Sequence, residues 1–103
     1  MKLRFTPRAT SDLIVIADYI RARNPAASLA VRDAVLSSLQ TLALYPEIGR
    51  RQDVEGVRKI VTRRYGYLVY YAVDHANEEI AILSIQHVTF SGSTTGRLAV
   101  MSR

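Results

Sequence analysis

Apolar positions along the chain change period as it advances, dividing it into a strand, two helices and three further strands. Residues 2–6 alternate, with Leu3 and Phe5 on one side and Lys2 and Arg4 on the other, which predicts a short strand. Thr6-Pro7 then supplies a hydroxyl to cap orphan amides and a proline at the first helical position, where no amide is needed. Ala9, Leu13, Ile16, Ala17 and Ile20 follow on one face of a helix, whereas Ile14, Val15 and Tyr19 lie off that stripe. The helix is therefore more apolar than a single buried face requires. Asn24-Pro25 repeats the start signal, and an Ala-, Val- and Leu-rich helix runs from Ala26 to about Tyr45. Val31, Ala34, Val35 and Leu42 form one stripe on it; Leu29, Leu36, Leu39 and Ala43 form a second beside it. Pro46 and Gly49 end this helix, and the short link between the two helices predicts an antiparallel hairpin.

After Gly49 the period becomes two. Strands are expected over residues 57–63, 67–73 and 79–87, with a polar turn at Asp74-His75-Ala76-Asn77-Glu78 joining the last two as a hairpin. Both faces of the 67–73 and 80–85 segments are largely apolar, which places them centrally in a sheet. The expected architecture is α+β: strand, helix, helix and three strands, with the helical hairpin packed on a mainly antiparallel four-stranded sheet. From Val88 the pattern weakens; residues 91–96 are only Ser, Thr and Gly, so 88–103 reads as a divergent tail on a single domain.

Charge adds a partner to this picture. The 103 residues carry 14 Lys and Arg against 9 Asp and Glu, a formal net charge of +5. Only Lys2 and Lys59 are lysines, and the arginine bias supplies planar donor forks suited to phosphate or carboxylate. Cysteine is absent, which excludes disulfides and thiolate metal sites. No apolar run reaches signal-peptide or bilayer-spanning length, so the expectation is a cytoplasmic protein with no membrane partner. No metal-ligand spacing or glycine-rich phosphate loop occurs, and no cofactor is expected.

Four pieces of sequence, in order, resemble the RelE/ParE toxin superfamily and its ParE-like branch. They are Pro7-x-Ala9-x-x-Asp12-Leu13 with Ile16, Tyr19-Ile20 and Asn24-Pro25; Tyr45-Pro46-Glu47-Ile48-Gly49-Arg50; Val57-Arg58 leading to Arg64-Tyr65 and Tyr67-Leu68-Val69-Tyr70-Tyr71; and Ile82-Leu83-x-Ile85-x-His87. The resemblance spans residues 1 to about 87. It implies the toxin of a type II toxin–antitoxin pair, neutralised by a cognate acidic antitoxin, ParD-like or related, that folds on contact. For the ParE-like branch it implies action on DNA gyrase without catalytic residues of its own. For the RelE-like branch it implies cutting mRNA on the ribosome. Where many ParE-like chains continue with a basic or aromatic tail, this one runs Val88-Thr89-Phe90-Ser91-Gly92, with no arginine until Arg97. A toxin-derived module that only binds antitoxin is the third reading.

Candidate contacts follow from the same residues. Arg50, Arg51, Arg58, Lys59, Arg63 and Arg64 face only Asp53 and Glu55 in their stretch, the densest positive cluster in the chain. The surplus apolar arc of the helices is read as a groove for an amphipathic antitoxin helix, with Leu13, Ile14, Ile16, Tyr19, Ile20, Leu29, Leu36 and Leu39 contributing. Arg50, Arg51 and Arg58 would meet antitoxin carboxylates, leaving Arg63, Arg64, Tyr65 and His87 for the target. A nuclease would need a base, an acid and cations over the phosphate. His87 is the candidate base, with Arg58, Arg63, Arg64 and Tyr65 around it.

Overall fold

The computed structural model describes residues 1–62 and 65–87. The tail from 88 and the Arg63-Arg64 pair lie outside the described residues. β1 (Lys2–Phe5) leads into α1 (Pro7–Arg23) and α2 (Pro25–Leu44), followed by β2 (Arg50–Arg51), β3 (Val57–Val61), β4 (Tyr67–Asp74) and β5 (Glu79–His87). The sheet therefore has five strands, in the order β1-β5-β4-β3-β2, where four were expected. The addition is β2, a two-residue strand that pairs Arg50 with Lys59 and Arg51 with Arg58. β1 lies parallel to β5, and the remaining pairs are antiparallel. As the two-sided apolar pattern requires, β4 and β5 occupy the interior.

Caps fix both helices. The Thr6 hydroxyl accepts from the Ala9 amide at 3.1 Å and donates towards the Ile82 and Leu83 carbonyls at 3.0 and 3.1 Å. One side chain thus starts α1 and ties that start to β5, at the point where β1 ends. Farther along α1, the Asp12 carboxylate accepts the Ile85 amide at 2.9 Å. The β1 register stops at Phe5 opposite Ile82, so Asp12 stands in for the missing strand on that edge of β5. Asn24 serves both helices: its amide donates to the Ile20 carbonyl at 2.7 Å, and its side chain accepts from the Ala27 amide at 3.1 Å. A single-residue link forces the sharp reversal of the hairpin.

The core lies between that hairpin and one face of the sheet. Ala9, Val31, Val35, Leu39 and Leu42 from the helices meet Tyr67, Val69, Tyr71, Ile80, Ile82 and Ile85 from β4 and β5. Leu3 and Phe5 lie opposite Ile80 and Ile82 and pack against this cluster, as the alternation in β1 predicts. Leu39 corrects an expectation. It has no exposed surface and sits in register with Val31, Val35 and Leu42, so it is a core residue and not part of a partner-binding ridge.

Tyr71 anchors the exit from α2. Its phenol has no exposed surface, donates to the Pro46 carbonyl at 2.8 Å and accepts the Gly49 amide at 2.9 Å. Burial raises its pKa above the ordinary tyrosine value, partly offset by the Gly49 amide and the Arg58 charge. A β-carbon at Gly49 would stand 2.4 Å from that phenol oxygen, so only glycine allows the close approach.

Candidate functional site

α1 presents different chemistry on its two flanks. Towards α2, an open groove of about 690 Å³ is floored by Phe5, Val31 and Val35. Leu13, Ile14, Ile16 and Ile20 line one wall, and Leu29 and Leu36 the other. The tight Asn24 turn holds the helices together at one end, and among the described residues no element covers these side chains. Ile14 and Leu29 remain 56% and 63% exposed, large aliphatic groups open to solvent on the two facing walls. Arg21, ion-paired with Asp18, and Arg32 stand at the groove's rim. Six of the eight apolar residues expected to receive a partner are thus brought together here: Leu13, Ile14, Ile16, Ile20, Leu29 and Leu36.

Tyr19 is not among them. It lies on the other flank of α1, 52% exposed, with the Arg23 guanidinium 3.7 Å above its ring centroid. That flank runs along the end of the sheet, where His87 lies opposite Tyr67 with ring centroids 4.8 Å apart and planes tilted by 45°. Tyr67 is buried, and desolvation followed by the proximity of Tyr19 raises its pKa, so its phenol stays protonated. Desolvation lowers the His87 pKa below its ordinary value and keeps the imidazole neutral near pH 7. Tyr65, 40% exposed, occupies the turn into β4 with φ of 70°, a left-handed conformation that side-chain-bearing residues rarely adopt. Sequence reading gave Arg23 no role, and Asp12 entered it only as part of the family resemblance. A spacing of four from Tyr19 is the signal that could have found Arg23.

Residues 3–89 match the family described as "ParE toxin of type II toxin-antitoxin system, parDE". The chain belongs to the ParE toxin family. Among solved structures it is similar to "Chromosomal ParDE TA system from P. aeruginosa", with 27% identity and a TM-score of 0.72 over 84% of this chain and 95% of that one. A curated relative from Sinorhizobium fredii, named "Putative toxin Y4kP", is 28% identical over 86 residues, which is 84% of this chain and 86% of the relative. The isolated E. coli RelE toxin shares the fold, with a TM-score of 0.62 at 20% identity, covering 84% of this chain and 82% of that one.

The described cations of the β2–β3 region divide between two recesses. Arg58 is engaged by its own chain: its Nη1 donates to the Glu47 carbonyl at 3.1 Å and the Gly49 carbonyl at 2.8 Å, bracing the loop that Tyr71 holds. Arg50 lies with Lys59 in a recess of about 510 Å³ beside Ser37, Ser38 and Thr41. Arg51 shares a second recess with its strand partner Arg58 and with Glu47, Glu55 and His75. Arg58 is aligned with Tyr71 and His87 with Tyr67. Four strand residues separate those two levels, about 13 Å at the usual rise. Arg58 and His87 therefore do not form one reaction centre. Among the described residues, no group of three or more His, Cys, Asp or Glu could hold a metal ion, and no helix is long and apolar enough to cross a membrane.

Proposed function

We propose that this ParE-type toxin inhibits DNA gyrase and is neutralised by a cognate acidic, ParD-like antitoxin that lays an amphipathic helix in the α1–α2 groove. The observation that carries the antitoxin half is the groove itself: an aliphatic trough that no element among the described residues covers, rimmed by Arg21 and Arg32. From Thr10 to Arg21 its α1 wall is about 16 Å long at the usual helical rise, matching three turns of a partner helix with anchors at i, i+3 or i+4, and i+7. Arginines at the rim favour acidic residues on that helix. The similarity to a P. aeruginosa ParDE system supports a ParD-like occupant. Membership of the ParE family supports gyrase as target, and the separation of Arg58 from His87 agrees with it.

The test uses purified toxin with gyrase and supercoiled plasmid. Linear, protein-linked DNA should accumulate and supercoiling should slow as toxin is added; supercoiling that is indifferent to a large excess of toxin rejects this target. A second reading, mRNA endonuclease activity, draws on the imidazole of His87 at the end of β5, exposed and opposite Tyr67, as a group able to accept a proton. On that reading His87→Ala abolishes growth arrest, and undiminished arrest by this variant removes its base.

A further inference from the structure

The outer flank of α1 carries a second surface, distinct from the groove. Val15, Tyr19 and Arg23 are spaced by four and form one line along the helix; Val15 is 64% and Tyr19 52% exposed. Val15 and the groove residue Ala17 differ by two positions, about 200° around an α-helix, and neither Val15, Tyr19 nor Arg23 lines the groove. Tyr19 is near enough to buried Tyr67 to act on its phenol, and the His87 ring packs at a tilt against Tyr67 at the margin of the sheet.

We propose that this flank, Val15, Tyr19 and Arg23 with His87 beside them, is where the toxin grips its target, and that the target presents an acidic protein surface there. The inference rests on the gyrase reading for the identity of that target. Tyrosine and arginine are the side chains most enriched at interface hot spots, and here each restrains the other: Arg23 lies 3.7 Å over the Tyr19 ring and its Nη1 donates to the Tyr19 carbonyl at 3.3 Å. A ring and a guanidinium already ordered lose less freedom on binding than two mobile side chains. Charge points to the partner's sign. Of the carboxylates on α1, Asp12 is engaged by the Ile85 amide and Arg8, and Asp18 by Arg21, so neither neutralises Arg23. A protein is favoured over nucleic acid because a base needs an open ring face for stacking. Arg23 covers one face of Tyr19, and Tyr67 is only 3% exposed.

If this is so, one helix serves two partners on opposite sides, and changes on each side separate their effects. Tyr19→Ala and Arg23→Glu alter exposed side chains, and Val54→Glu, at a position 65% exposed on the loop before β3, controls for added negative charge. Each purified variant is assayed with gyrase and supercoiled plasmid, checked by thermal melting, and expressed in bacteria to score growth arrest. The expected result is a loss of potency of roughly 30-fold or more for Tyr19→Ala and Arg23→Glu, in keeping with hot-spot truncations, with unchanged melting and a wild-type response from Val54→Glu. Wild-type potency in both flank variants overturns the surface assignment. If the wild type arrests growth but spares gyrase, the gyrase reading fails, and growth arrest by the variants then decides the surface on its own. Binding of a fluorescein-labelled oligothymidylate serves as the nucleic-acid arm. Loss of that binding in parallel with loss of toxicity overturns the protein partner in favour of nucleic acid.

Discussion

Replacing Tyr71 with phenylalanine removes one oxygen atom from the interior and leaves the ring in place. That oxygen joins two otherwise separate stretches of the loop after α2, accepting the Gly49 amide at 2.9 Å and donating to the Pro46 carbonyl at 2.8 Å. Gly49 is buried, so its amide finds no water when the acceptor disappears. An unsatisfied buried donor costs about 1–3 kcal/mol. The Pro46 carbonyl, half-buried, recovers part of its loss from solvent and adds about 0.5 kcal/mol. The expected destabilisation is about 2 kcal/mol, and at about 4–8 °C per kcal/mol for a chain of this size the melting temperature falls by roughly 10 °C. Urea titration of wild type and variant, followed by far-ultraviolet circular dichroism, measures the difference directly. The midpoint should fall while the slope with denaturant stays the same, since the surface exposed on unfolding hardly changes. Gly49→Ala tests the same contact from the other side. Its β-carbon would meet the phenol oxygen at 2.4 Å and ring carbons at 2.7 and 2.9 Å, so it should cost more than Tyr71→Phe. In the double variant the clash with oxygen is gone but the clash with carbon remains, and the two effects should sum to less than their separate values. A Tyr71→Phe change below about 0.5 kcal/mol, or strict additivity in the double variant, would refute the claim that this phenol clamps the loop.

Three further outcomes follow from the same structure. Leu29→Glu places a carboxylate on the groove wall at an exposed position; stability should barely change, while affinity for the cognate antitoxin, read by calorimetry, should fall more than about tenfold, and an unaltered affinity would move the partner off the groove. Asp12→Ala leaves the Ile85 amide without its acceptor on an edge of β5 that β1 does not reach, and denaturant titration should register a loss of about 1–3 kcal/mol. His87 has a folded-state pKa held below its ordinary 6.5 by burial, so the unfolded chain takes up this proton first as pH falls. Its contribution to stability is therefore complete above that value and declines as pH drops from there towards the folded-state pKa. His87→Gln should flatten the melting curve between pH 7 and about 5, and a variant that loses stability on acidification as steeply as the wild type would contradict the sign.

Local chemistry wrote much of this molecule in readable form. Thr6-Pro7 and Asn24-Pro25 begin the helices where they are found, because capping and a proline lacking an amide act within a few residues. Alternation along β1, and apolar residues on both faces of β4 and β5, likewise announced which strands are central. Other features depend on residues far apart in the chain. β2 has no periodicity of its own, being two exposed arginines; it is a strand only because β3 lies alongside to pair with it. Leu29, Leu36 and Leu39 share a stripe in sequence, yet Leu39 is sealed beneath the hairpin and Leu29 stands 63% exposed. Helical spacing gives angle around an axis, whereas burial depends on what lies beyond each point of that axis. The same reason separates Tyr19 from the groove and brings it near Tyr67, 48 positions later in the chain. Arg58 looked like a free cation until the fold turned the carbonyls of Glu47 and Gly49 towards it. Short-range propensities sufficed to name the elements and their inward faces; the assignment of each exposed side chain to a groove, a clamp or an outer flank required the long-range packing that sets its neighbours.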